Sequence, residues 1–319
     1  MTATPLPSPW RARLARWVPR QLGQRTVIGI PMIWLLLFFL APFLILVRIS
    51  VSEMDTVHFK PLLHFSEGVL EIRLRLGNYL ALGGDDLYWR TYLTSLRYAA
   101  ATTLICLGLG YPFAYFMARS PQRVQPALVM AVMLPFWTSF LLRVYAWKWL
   151  LSDHGWAHTV LTGLGLDRVL LVLGLISESG HLMNTPFSLL LGMVYTYLPF
   201  MVLPLYANLS KLDNRLLEAA ADLGARPWTV FWTVTVPISR AGIVAGSMLV
   251  FIPCIGEFVI PELLGGPETL MIGRVLWDEF FSNNDWPMAS AVAVVMILLI
   301  IVPLAWFSHA QAQAQEQHQ

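Results

Sequence analysis

The chain has 319 residues, 57% of them hydrophobic and only 13% charged, with a formal net charge of +2. A soluble domain carries roughly 25% charged residues, so this composition excludes an ordinary water-soluble globule and places the chain in a bilayer. Nothing in its charge points to nucleic acid.

A helix needs roughly 20 mostly apolar residues to cross the hydrocarbon, and the intervals between ionisable residues locate such stretches. Residues 1–26 are basic, with Arg11, Arg13, Arg16, Arg20 and Arg25, and read as a cytoplasmic N-terminal segment. Arg25 and Arg48 enclose 22 residues without Asp, Glu, Lys, Arg or His, the first predicted span. It is too long for a signal-peptide core and lacks a small-residue cleavage site, so it is expected to remain as an anchor. In the outer segment 48–97 the piece DDLYWRTYLTSLRYAA predicts a helix lying on the outer surface. Arg97 to Arg119 encloses 21 such residues and Arg123 to Arg143 encloses 19, the second and third spans. Arg143, at the outer end of the third, is expected to pair with an acidic group or to snorkel to the interface. After a second outer segment, 143–185, the interval from His181 to Lys211 holds 29 residues and supplies the fourth span.

Between the fourth and fifth spans lies LDNRLLEAAADLGARPWTVFWTVTVP. Asp213 is a plausible N-cap, Leu212, Leu216, Leu217, Ala220 and Leu223 form one apolar stripe, and Gly224 supplies a left-handed C′ residue. Pro227 can open a second helix, rich in Trp228, Phe231 and Trp232 and ending near Pro237. The small alanines permit close approach of another backbone, and Glu218, Asp222 and Arg226 add polar contacts. By themselves these residues fit either a docking element or an amphipathic helix on the inner leaflet.

Residues 241–256 form a fifth span of 16 residues before Glu257 interrupts it. At 1.5 Å per residue Glu257 sits roughly 24 Å from the inner end, inside a core of about 30 Å. A carboxylate there is costly unless it faces a polar path or a partner, and Pro253, Gly256 and Pro261 are suited to breaking the helix around it. The loop 258–287 carries Glu262, Glu268, Asp278, Glu279 and Asp285 against Arg274 alone, a potential that attracts cations. Residues 286–308 complete six spans, and the tail HAQAQAQEQHQ, 309–319, is polar and expected to be disordered. The division is therefore a basic segment 1–26, a transmembrane domain 27–308 with its loop at about 210–240, and a polar tail. Eleven of the 21 basic residues fall on one side, in the shorter segments that hold both termini, which makes both termini cytoplasmic.

Cys106 and Cys254 lie inside predicted spans and read as small buried hydrophobes. The sequence has no GxxxxGK[ST] phosphate loop, no HExxH pair and no nucleophile elbow, so no catalytic or metal chemistry is expected of this chain.

The pattern Glu218, Ala219, Ala220, Gly224, Val234, Val236 and Pro237 resembles the cytoplasmic loop of permease subunits of binding-protein-dependent ABC importers, with valine at two positions where Ile and Leu are commoner. LPFWTSFLLRVYAW, YLPFMVLPLYANL, EAAADLGARP and GEFVIPELLGGPETLMIGRVLWDEFF extend the resemblance along nearly the whole chain, to permeases of polyamine importers, the putrescine type above all. The resemblance implies an all-α, six-helix, type I ABC importer permease in a bacterial inner membrane. It further implies two cytoplasmic ATPase subunits docked on the loop, using ATP and magnesium that this chain does not bind, a second and different permease subunit, and a periplasmic solute-binding protein. Glu218, Ala219, Ala220, Asp222, Gly224, Arg226 and Pro237 would form the coupling loop.

Putrescine is a dication with an apolar spacer, so its path calls for carboxylates and aromatic faces. Glu257 and Glu262, with Trp137, Tyr145 and Tyr197, are the residues expected there. The alternatives are that Glu257 reaches the outer interface or pairs with another subunit, and that the aromatic residues simply pack. Spermidine or another small solute is an alternative cargo, and an ion-coupled secondary transporter an alternative class. The latter would show internal repeats with paired broken helices, and none is evident.

Overall fold

In the computed structural model the backbone is described for residues 20–316 apart from 56–57, 60–62, 67–68 and 73–75. Arg11, Arg13 and Arg16 of the basic segment and the final three residues of the tail lie outside the described residues. α1 (Arg20–Leu35) passes through a π-helical turn at Leu36–Leu40 into α2 (Ala41–Ser50). Together they supply an apolar stretch, Val27–Ser50, of 24 residues. Trp34, Leu37 and Phe39 on it are exposed, as suits a helix whose solvent is lipid. Two antiparallel hairpins follow, Met54–Asp55 with His58–Phe59 and Leu63–Ser66 with Val69–Ile72; they are a small addition to an otherwise helical chain.

α3 (Asp86–Arg119) is one unbroken helix of 34 residues, opened by the Asp85 side chain accepting from the Leu87 amide at 2.8 Å. The surface helix expected from DDLYWRTYLTSLRYAA is therefore not separate; it is the first half of this span. No glycine or proline interrupts residues 86–107, and Ala99, Ala100 and Ala101 propagate the helix. Arg97, which suggested a boundary, sits on the exposed face, as does Arg90.

The third predicted span is not straight. α4 (Gln125–Met133), a tight turn at Leu134–Trp137 and α5 (Phe140–Leu151) form a pair bent by 86°. Pro135 removes an amide donor from the ladder, and Thr138 is extended at ψ 149°, so the helix restarts in a new direction. α6 (Pro186–Leu209) begins with a reciprocal cap, Thr185 Oγ1 accepting from the Ser188 amide at 3.3 Å and Ser188 Oγ from the Thr185 amide at 3.1 Å. α7 (Asn214–Asp222) and α8 (Pro227–Val230) follow, and α8 continues through a π-helical turn to Ile238. There the chain bends by 67° into α9 (Arg240–Ile255). α10 (Val259–Leu264), α11 (Ile272–Trp277) and α12 (Trp286–Glu316) follow, and three short helices, Gly77–Gly84, Trp156–Gly163 and Leu166–Val172, lie in the segments before α3 and α6. α12 runs helical where the tail was expected to be disordered, because Ala, Gln and Glu are all good helix formers.

Among the described residues three helices are long and apolar enough to cross a membrane, or five if each bent pair is one span, and Trp286–Ile301 is a shorter apolar helix. The chain falls into two units, residues 1–78 with 286–294 and residues 79–285 with 295–319. The second is built on α6, which packs against α3 and α9. Small residues permit the approach: Ala99, Cys106 and Ala114 of α3 are fully buried with Met193, Met201 and Leu205 of α6. Gly242 and Gly246 of α9, spaced GxxxG, do the same on the other side. A Cβ at Gly246 would lie 2.8 Å from Met201 Sδ and 3.1 Å from the Met201 carbonyl. Gly246→Ala is accordingly expected to destabilise the protein by about 1–3 kcal/mol, read as a lower melting temperature in detergent. Unchanged melting would mean that this helix pair has slack.

The segment 258–287 departs from the open acidic loop expected of it. Ile260, Leu264, Met271 and Ile272 are fully buried. Ser188 Oγ donates to the Leu264 carbonyl at 2.6 Å, and Ser95 Oγ accepts from the Ile272 amide at 2.8 Å. Two hydroxyls on α3 and α6 thus satisfy backbone groups that an apolar surround would leave unpaired.

Candidate functional site

Two groups of residues carry the chemistry expected of the chain. The first is the 210–240 loop. The Asp213 carboxylate accepts from the Arg215 amide at 3.0 Å and caps α7. At the other end the Gly224 amide donates to the Ala221 carbonyl at 2.8 Å and the Ala225 amide to the Ala220 carbonyl at 3.1 Å, the paired bonds of a Schellman turn. Gly224 takes φ +80°, so the expected left-handed residue is where the turn needs it. Pro227 opens α8 behind Arg226.

The end of α3 anchors the loop. Arg119 Nη1, at the end of α3, donates to Asn214 Oδ1, and its guanidinium lies 5.3 Å from the Tyr115 ring centre. Tyr111 Oη and Ser239 Oγ share a hydrogen bond at 2.8 Å, while Phe231 meets the Tyr111 and Tyr115 rings edge-on. A cavity of about 230 Å³ remains beneath α7, lined by Tyr115, Leu217, Ala221 and Phe231 among others. Of the predicted stripe, Leu212 is buried and Leu217 and Ala220 are half-buried. Leu216 and Leu223 instead point outward, Leu223 at 89% exposure. Glu218, Ala219, Asp222, Gly224 and Arg226 are exposed beside them, and Pro237 is half-buried in the helical turn before the bend. The outcome is a short helix held on its flank with its crest free.

The second group surrounds the break between α9 and α10. The α9 ladder stops at Ile255, and Gly256, Glu257 and Phe258 lie outside both helices. One oxygen of Glu257, Oε1, accepts from the Val259 and Ile260 amides at 3.1 and 3.4 Å. The other, Oε2, accepts from Tyr197 Oη at 2.5 Å. Tyr197 is 7% exposed, so its hydroxyl depends on that carboxylate, and the carboxylate on amide and hydroxyl donors. The break is closed from above: a Cβ at Gly273 would lie 2.6 Å from the carbonyl oxygens of both Gly256 and Glu257. Only glycine lets α11 return this close.

The remaining expected residues are not gathered at Glu257. Glu262 pairs with Arg274 at 2.6 Å, so the one basic residue of 258–287 neutralises it. Glu279 accepts from Tyr88 Oη at 2.9 Å. Trp137 and Tyr145 stand outward, 75% and 54% exposed. Among the described residues Arg143 has no carboxylate partner, and it is not snorkelled: it is 9% exposed, and its guanidinium sits 5.6 and 5.9 Å from the ring centres of Phe136 and Phe140. The bend before α5 turns it inward instead of out along a straight span. A chain of rings connects it to Glu257: Phe136 meets Phe200 edge-on at 5.0 Å, and Phe200 lies 6.2 Å from Tyr197. The sequence reading does not anticipate Phe136, Phe200, Arg119 or the Gly242–Gly246 pair; the GxxxG spacing was the one signal available for the last.

Comparison with known proteins places this arrangement. The chain is 39% identical over 268 residues to the spermidine/putrescine transport system permease protein PotB of Escherichia coli K12, covering 84% of this chain and 89% of that one. It is 37% identical over 270 residues to the protein of the same name from Haemophilus influenzae, covering 85% and 87%. Its fold matches the crystal structure of a bacterial ABC transporter involved in the import of the acidic polysaccharide alginate, with a TM-score of 0.64 at 17% identity over 94% of this chain and 99% of that one. Residues 108–314 match the binding-protein-dependent transport system inner membrane components. The chain belongs to that family, as a multi-pass inner-membrane permease subunit whose ATPase is a separate subunit.

Proposed function

We propose that this chain is one of two different permease subunits of an ATP-driven importer and moves a polyamine, putrescine in preference to spermidine, into the cell. The observation that carries the substrate class is its kinship, along most of its length, with permeases named for spermidine and putrescine. A half-buried carboxylate at a helix break, approached by aromatic rings, suits a cation with an apolar spacer.

In this reading the α4–α5 pair is the third span, α9 the fifth and α12 the sixth, with both termini cytoplasmic. Residues 1–26 are then a cytoplasmic segment, 27–308 the permease domain and 309–319 a cytoplasmic tail. The exposed crest of α7, with Glu218, Ala219, Ala220, Asp222, Gly224 and Arg226, docks on one of two ATPase subunits, and Pro237 ends the loop at the bend. ATP binding closes the ATPases, α7 moves, and the anchoring through Arg119, Tyr111 and Tyr115 passes that motion to α3. A periplasmic binding protein delivers the substrate to the opposite face. Glu257 and Tyr197 line the path, with Trp137, Tyr145 and Glu262 at its margins.

The test is uptake of labelled putrescine in cells lacking this gene, with the gene restored beside its partner subunits, against excess unlabelled spermidine, an amino acid or sulfate. Restored uptake that putrescine blocks strongly, spermidine weakly and the others not at all is the expected result. No restored uptake, with the protein present in the membrane, overturns the substrate.

A further inference from the structure

Arg143 is buried to about nine-tenths, and its Nε and Nη1 have no hydrogen-bond partner among the described residues. A guanidinium is never neutral in a protein, and in an apolar surround a charge is ordinarily paired. Here what faces it is aromatic: the Phe136 and Phe140 rings within 6 Å, the geometry of a cation–π site. Ring faces hold a cation without committing it, since they accept any cation and impose no fixed bond. From Phe136 the ring contacts run through Phe200 to Tyr197, whose hydroxyl is bonded to Glu257. One end of this aromatic run therefore carries the carboxylate and the other carries a positive charge supplied by the chain itself.

Resting on the polyamine reading, we propose that Arg143 is a resident cation, occupying on Phe136 and Phe140 the site that the second ammonium of a diamine takes over during passage. In the empty protein Glu257 is satisfied by Tyr197 and two amides and the ring site by Arg143, so neither end is left bare. A diamine replaces both arrangements at once: one ammonium engages Glu257, and the other displaces the guanidinium from the ring faces. A monoamine has one ammonium, which gains nothing at the ring end when it engages Glu257 and can take the ring site only where Arg143 does not already hold it. Arg143 thus acts as a specificity-determining residue that discriminates by charge spacing.

The test must bypass the binding protein, which imposes its own selectivity on uptake. The complete transporter, purified in lipid nanodiscs without the binding protein, is melted over a range of putrescine and of butylamine concentrations. A ligand that binds the folded state raises the melting temperature in proportion to its occupancy. Arg143→Gln should be stabilised by several-fold less putrescine than wild type and should also respond to butylamine, whereas Arg143→Lys, which keeps the cation, should resemble wild type. Wild type stabilised by putrescine, with Arg143→Gln no more sensitive and still indifferent to butylamine, overturns the resident cation alone. Loss of putrescine response in both variants, with normal melting in its absence, likewise overturns it and makes the guanidinium a structural part of the site. A wild-type transporter that no diamine stabilises overturns the polyamine reading and this assignment together.

Discussion

Gly224→Val is expected to leave the protein in the membrane at normal amounts while abolishing transport and transport-stimulated ATP hydrolysis. Gly224 has φ +80°, and a Cβ there would meet nothing within 4 Å. The damage therefore comes from backbone strain and not from a clash. An L-residue in the left-handed region costs roughly 1–2 kcal/mol, and a β-branched one is least tolerant of it. That cost falls on α7, a helix of nine residues, which is too short to be stable alone. Escaping the strain means giving up the bonds from the Gly224 and Ala225 amides, which terminate α7 and fix where Leu223 projects. Gly224→Asn is the informative control, since asparagine visits the left-handed region readily; it should retain most coupling. Equal loss in both variants would mean that the surface at residue 224, and not the handedness of the turn, is what the ATPase reads. Intact coupling in the valine variant would remove α7 from the docking role.

The features legible in the sequence were those with local causes. Asp213, Gly224 and Pro227 act within a few residues of where they stand, so capping rules place α7 and α8 without knowledge of the fold. The spans failed where ionisable residues were taken as boundaries. Arg97 lies mid-helix on an exposed face of α3, and only a three-dimensional neighbourhood tells an exposed arginine from a helix end. Pro135 was visible in the sequence, yet how far a proline bends a helix depends on what catches the freed backbone, and α5 turns by 86° because it has a surface to pack on. At the helix break, Glu257 stood out because a carboxylate in an apolar run is conspicuous by itself. Its partner Tyr197 is 60 residues away, and Arg143 was conspicuous for the wrong reason: its charge was legible, but the bend that turns it onto Phe136 was not. The acidic composition of 258–287 described side chains that are exposed or half-buried and missed the backbone that Ser95 and Ser188 hold in the core.

Glu257→Gln is expected to assemble at wild-type amounts and to lose most transport. The amide oxygen can take over the bonds from the Val259 and Ile260 amides, preserving the cap of α10. The amide nitrogen can donate to Tyr197 Oη once that hydroxyl rotates to accept, so the buried phenol is not orphaned. What the substitution removes is the negative charge. Glu257→Ala removes far more: the acceptor of two amides at the start of α10 and, among the described residues, the partner of the Tyr197 hydroxyl, a loss of roughly 1–3 kcal/mol for a buried polar group. The alanine variant is expected to melt lower and assemble poorly, which would make its inactivity uninformative. The decisive measurement is therefore uptake of labelled putrescine by the glutamine variant, normalised to the amount of assembled complex. A loss of tenfold or more corresponds to about 1.4 kcal/mol or more of interaction with the moving cation and fits a carboxylate that contacts its cargo. Uptake unchanged in the glutamine variant, alongside a destabilised alanine variant, would reduce Glu257 to a helix cap that closes the break and leave the cation to be guided by ring faces and carbonyls elsewhere on the path.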